Sequence, residues 1–142
     1  MRRLPLVLAA CAGLTACGPS LPKSVNADGL KVDIGRVMGD DFTCVILVDK
    51  ASGREVFKSG LNQSCRNAYP ACTSPGEITA YDLAKSAAKG AAVATGCQSV
   101  SWAAGAAGKG PYAYAAVMYG KRALPGMEMT RRLDAVFSNN GL

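Results

Sequence analysis

Apolar and polar positions alternate along this chain with two different periods, and the switches between them predict the order of its elements. Leu30, Val32 and Ile34 interleave with Lys31, Asp33 and Gly35, the period-two pattern of a half-buried strand. Phe42 to Val48 is almost continuously apolar, as suits a central strand covered on both faces. Asp49 to Gly53 has the composition of a turn, and Arg54 to Lys58 returns as the second arm of a hairpin. Ser59 to Gly76 shows no apolar period and holds Asn62, Asn67, Pro70, Pro75 and two cysteines. That predicts a long loop, for which the cysteines are a sufficient structural reason and a recognition role is the alternative.

Thr79 followed by Asp82 forms a near capping box ahead of a helix over roughly Ala80 to Ala94. Leu83, Ala87 and Ala91 form one apolar row and Ala84, Ala88 and Ala92 the next, opposite Asp82, Lys85, Ser86 and Lys89. Gly90 either ends this helix early or marks close packing. Cys97 to Ala103 alternates again, with Val100 and Trp102 opposed to Ser99 and Ser101. A glycine-rich connection from Gly105 to Pro111 leads to a strand over Tyr112 to Tyr119, whose Tyr112, Tyr114 and Met118 share a face. Met127 to Phe137 closes the chain as an amphipathic helix through Met129, Leu133, Val136 and Phe137, ended by Asn139-Asn140-Gly141. Together these predict an α+β domain, a small antiparallel or mixed sheet packed by one or two helices.

The first residues follow another logic. Arg2 and Arg3 precede an apolar stretch from Leu4 to Ala12, and small residues follow it. This is the layout of a secretory signal, and it is too short to span a bilayer, which takes roughly 20 apolar residues. The ending Leu14-Thr15-Ala16-Cys17 resembles the lipobox of bacterial lipoproteins. That resemblance implies cleavage before Cys17, acyl chains on its thiol (palmitate among them), and a membrane anchor. Gly18, where an aspartate would favour the inner membrane, implies the outer membrane, with the domain facing the periplasm. The expected organisation is a signal peptide over 1–16, a lipidated tether over 17–29 and one periplasmic domain over 30–142. The alternative is an ordinary secretory signal in which Cys17 is incidental.

Composition narrows the chemistry. The chain has 142 residues, with 16 basic and 10 acidic, a net charge of +6. Removing residues 1–16 takes away Arg2 and Arg3, which leaves 126 residues and a net +4. That is one domain's worth, too weakly basic to mark a nucleic-acid binder. Histidine is absent, which removes Ser-His-Asp and Cys-His catalysis and histidine-ligated metals together. Apart from Cys11 and Cys17, the cysteines are Cys44, Cys65, Cys72 and Cys97, an even set that in an oxidising compartment predicts two disulfides. Three pairings are open. No tight cysteine pair suits zinc, and no metal or other cofactor is expected.

Three further features invite a function. Lys121, Arg122, Arg131 and Arg132 form a basic cluster suited to anionic headgroups or cell wall, or else a solvated face. Trp102, Tyr112 and Tyr114 are candidates for an aromatic ligand platform or for core. Asp40, Asp41 and Asp49 stand at predicted strand ends, where an enzyme would place carboxylates. Ser86-Ala87-Ala88-Lys89 spells the Ser-x-x-Lys of penicillin-recognising enzymes, but Lys58-Ser59-Gly60 precedes it where that family's triplet follows, and the chain is too short for that fold. Gly108-Lys109 lacks both the leading glycine and the Ser or Thr of a phosphate loop.

From Ala84 to Leu124 the order is an alanine-rich helix, a cysteine-bearing strand, a glycine-rich loop, a tyrosine-led strand and Gly-x-x-Ala-Leu at Gly120 to Leu124. This order resembles the folded part of the Rcs envelope-stress sensor lipoproteins, and implies a tethered, doubly disulfide-bonded envelope domain. The chain lacks that family's long proline-rich linker and its cysteine after the glycine loop, and adds a final helix. The function expected is a non-enzymatic binding, sensing or scaffolding module of the envelope. Its partners would be the membrane through the anchor, and another envelope protein, cell wall or lipopolysaccharide. The alternatives are a small envelope enzyme acting on cell wall or lipid, and an inhibitor of foreign lysozyme or protease.

Overall fold

The computed structural model describes residues 18–39 and 42–142. The signal segment, Cys17, Asp40 and Asp41 lie outside them. Helix α1 (Ala27–Met38) leads into strands β1 (Thr43–Asp49) and β2 (Glu55–Gly60). A short helix α2 (Asn62–Arg66) and a two-residue strand pair, β3 (Tyr69–Pro70) with β4 (Glu77–Ile78), follow. Then come α3 (Ala80–Ala88), β5 (Val93–Cys97), β6 (Val100–Ala106), β7 (Tyr112–Tyr119) and α4 (Gly126–Asn139). The five long strands form one antiparallel sheet in the order β2-β1-β7-β6-β5. The α+β class is therefore as the pattern predicts, in its antiparallel form.

Helices cover both faces of this sheet. On one face, α1 and α4 pack Leu30, Ile34, Met129, Leu133 and Phe137 against Val45, Leu47, Tyr114 and Met118. On the other, α3 brings Leu83, Ala84 and Ala87 onto Ile46, Trp102, Ala115 and Val117. Strand β1 is buried on both sides, which explains why its sequence is continuously apolar. In β7 small alanines alternate with large residues, so α3 approaches the sheet closely where Ala113 and Ala115 face it.

The segment from Leu30 to Gly35 is helix, not strand. Leu30, Ile34 and Met38 recur every four residues and are buried, while Val32 is 59% exposed. Asn26 caps this helix by accepting from the Gly29 N–H at 3.0 Å, so the element begins inside the stretch expected as tether. The residues before it also lie on the domain. Val25 is buried, Leu21 packs against the first core, and the Tyr112 hydroxyl donates to the Ser20 carbonyl at 3.3 Å.

Helix α3 starts on the predicted capping box, with the Thr79 hydroxyl and the Asp82 carboxylate each serving the other's backbone N–H. It stops at Ala88 because Gly90 takes φ +102°, which continues no α-helix. The stretch read as one strand from Cys97 is a hairpin. Cys97 pairs with Val100 across a two-residue turn in which Gln98 and Ser99 both have positive φ.

Candidate binding surface

The four core cysteines pair in chain order, Cys44 with Cys65 and Cys72 with Cys97. The first bridge is fully buried and ties the central strand β1 to α2. The second is partly exposed and ties the β3–β4 turn to the end of β5. The region expected as loop is thus pinned at both ends.

Among the described residues, the candidates do not converge on one reactive centre. Asp49 is committed to the β1–β2 turn, where its carboxylate accepts from the Ser52 hydroxyl at 2.7 Å and the Ser52 N–H at 2.8 Å. These bonds, the hydroxyl's foremost, hold it below the usual carboxylate range. Ser86 donates its hydroxyl to the Asp82 carbonyl, and Lys89 is the exposed C-cap of α3. Among the described residues, no group of three or more metal-binding side chains comes together.

Trp102, Tyr112 and Tyr114 do not form a platform. All three are buried, Trp102 facing α3 while Tyr112 and Tyr114 face α1 and α4. The Trp102 indole N–H donates to the Pro70 carbonyl at 2.8 Å, which fixes the β3–β4 turn to the sheet.

The basic cluster divides in two. Arg131 and Arg132 both bind Glu128 on α4, and Arg132 also donates to the Val37 carbonyl at 2.7 Å, linking α4 to α1. Hydrogen bonds from the two guanidinium groups hold Glu128 at a pKa of about 2. Lys121 and Arg122, just past β7, make no ion pair within the described residues, and they line an open groove of about 470 Å³ with Met38, Phe42 and Tyr119.

That groove opens onto an apolar ridge which the periodicity gave no means to find. Leu61, Phe42 and Tyr119 are 48%, 54% and 45% exposed, unusual for side chains of their size. The Phe42 ring meets Tyr119 edge-on at 6.1 Å, Tyr119 stacks on Tyr69 at 5.3 Å, and Tyr69 contacts Trp102 at 6.2 Å. The ladder runs from solvent into the core, so its outer rings rest on a rigid support. Leu61 joins the ridge to a second groove, lined by Val32, Lys31 and Arg36 from α1 and by Ser59 and Gly60 from the tail of β2. The signal available in the sequence was a set of apolar residues at element ends: Phe42 before β1, Leu61 after β2 and Tyr119 at the close of β7.

No family model matches the sequence, and no curated protein matches it. Among solved structures, one titled "MglB with tetrameric arrangement" aligns over 84% of this chain and 92% of that one, at 13% identity and a TM-score of 0.48. Similarity at that level says nothing of what this chain binds. No helix among the described residues is long and apolar enough to cross a membrane.

Proposed function

We propose that this protein is a lipid-anchored component of the bacterial cell envelope, processed before Cys17 and carrying a thioether-linked lipid on that thiol. Its domain serves as a non-enzymatic binding module in sensing, assembly or scaffolding. The observation that carries the reading is Leu14-Thr15-Ala16-Cys17, placed directly behind a basic start and an apolar run too short to span a bilayer. Two disulfides in a chain of this size support an oxidising compartment such as the periplasm. Gly18 after the acylated residue supports the outer membrane. The exposed ridge of Leu61, Phe42 and Tyr119 supports binding over catalysis, since rigidly backed aromatic side chains are typical of contact surfaces. Its partner in this reading is another envelope component: a protein, the cell wall or lipopolysaccharide.

The test is intact mass spectrometry of the chain isolated from bacterial membranes, beside Cys17→Ser. The expected result is a chain beginning at an acylated Cys17, with the serine variant unprocessed. A mature chain cleaved elsewhere and carrying an unmodified Cys17 would overturn the reading. Crosslinking in intact cells then tests the module, which should recover one envelope component in near-equal amount. Turnover of purified cell wall or phospholipid by the pure protein would replace the module with an enzyme.

A further inference from the structure

We infer that the β2 side of the domain lies flat against the anionic phospholipid surface of the membrane that holds Cys17. This rests on the anchor proposed above, adds an orientation to it, and assigns the ridge of Leu61 and Phe42 to the membrane itself, so that any further envelope partner meets another face. The residues that follow Cys17 in sequence lie on the domain. Gly18 sits against the Arg54 guanidinium, which would stand 3.3 Å from a side-chain carbon added there. Ser20 is held by Tyr112, and Asp49 donates its N–H to the Arg54 carbonyl, so residues 18–20 lie at the head of β2. The acylated residue is next in the chain. Residues 18–20 therefore follow the domain surface at one end of the edge strand instead of forming a free tether.

Six residues of strand cover about 20 Å, and at the tail of β2 stand Leu61, Phe42 and, across the groove on α1, Val32. These are three of the five large apolar side chains that the described surface exposes. Lys31, Lys121 and Arg122, with Arg36 in its ion pair to Asp33, rim the grooves of α1 and of Lys121, and among the described residues no acid lines either groove. Apolar tips among lysine and arginine suit the boundary between acyl chains and anionic headgroups.

Of the described acids nearby, Asp28 is exposed in the first turn of α1, while three others have partners and keep their charge. Asp33 is bound by Arg36 and Asn140, Glu55 accepts from the Tyr81 hydroxyl, and Asp49 is held in its turn. Glu77 lines the groove beneath Tyr69. Asp40 and Asp41, adjacent to Phe42 in the sequence, lie outside the described residues.

The experiment uses the acylated chain purified from membranes and reconstituted into vesicles of 30% phosphatidylglycerol in brominated phosphatidylcholine, with tryptophan placed at Val32→Trp or Phe42→Trp. Trp102 is buried and gives a constant background. Met127→Trp is the control, because Met127 is exposed beside β5 at the opposite edge of the sheet. The expected result is at least a twofold bromine quenching of the tryptophans at 32 and 42 and none at 127. The quenching should disappear in purely zwitterionic brominated vesicles and in the triple variant Lys31→Glu, Lys121→Glu, Arg122→Glu. Flotation with the vesicles reports the anchor separately. A chain that floats without quenching at either site sinks the orientation and leaves the anchor standing, and one that does not float removes both. Equal quenching at all three sites would show a domain tumbling over the membrane, and would also overturn the inference.

Discussion

Removing each disulfide by paired alanine substitution should divide the stabilising roles of the two bridges. The linked cysteines are 21 and 25 residues apart, and the loop-closure entropy of the unfolded chain then gives about 3.3 and about 3.5 kcal/mol. On that term alone the two would be indistinguishable. Their surroundings differ, however. Cys44 and Cys65 are fully buried between β1 and α2, so alanine there also leaves a cavity and loses sulfur burial, about 1 kcal/mol for each side chain. Cys72 and Cys97 are partly exposed, and water fills the space they vacate. The expected losses are about 5 kcal/mol for Cys44→Ala/Cys65→Ala and about 3.5 kcal/mol for Cys72→Ala/Cys97→Ala. Since small domains are stable by only about 5–15 kcal/mol, the first variant sits near the limit of folding. Urea unfolding followed by circular dichroism, with the slope checked between variants, measures both. A Cys72→Ala/Cys97→Ala variant less stable than its counterpart would refute the burial argument. Losses below about 1 kcal/mol for both would refute the entropic one.

Two smaller effects follow from the helices. Thr79→Ala removes the hydroxyl that accepts from the Asp82 N–H and should cost about 1 kcal/mol in the same urea assay. Glu128 is held at about pH 2 in the fold against an ordinary value of 4.5, so its contribution is complete above about pH 4.5 and fades as pH falls toward 2. The melting temperatures of wild type and Glu128→Gln should therefore differ at neutral pH and converge near pH 2. The gap should be small because the pair is solvated, and one that widened in acid would reverse the assigned sign.

How legible each element was depended on how many of its neighbours speak in the local pattern. Strand β1 declared itself because burial on both faces leaves no room for polar residues. Helices α3 and α4 showed their apolar rows and, for α3, a cap. Helix α1 is hidden because Leu30 and Ile34 satisfy both a two-residue and a four-residue period, and the exposed Val32 between them completes the shorter one. Met38 and the Asn26 cap would have broken the tie. The β5–β6 hairpin was hidden because its turn uses Gln98 and Ser99 at positive φ where glycine or asparagine is the usual marker. At the surface, the basic residues at 121, 122, 131 and 132 read as one group, yet Glu128 claims two of them. The exposed aromatic ridge depends on the register of β1 against β7, which brings Thr43 opposite Met118 and so Phe42 beside Tyr119. No local pattern carries a pairing over that distance.

The strand order also sets an order of events when the chain folds from its N-terminal end under oxidising conditions. Strand β7 fits between β1 and β6, so the sheet stays open until residues 112–119 have emerged. Until then β1, the most apolar strand, has β2 as its only sheet partner and a bare edge on the other side, the kind of edge that recruits other chains. Pairing in sequence order suits this interval, because Cys65 is available to Cys44 long before β7 exists and neither bridge has to wait for, or step over, the other. The unfinished strand can thus be pinned against its own helix while β7 and the residues after it are still on their way.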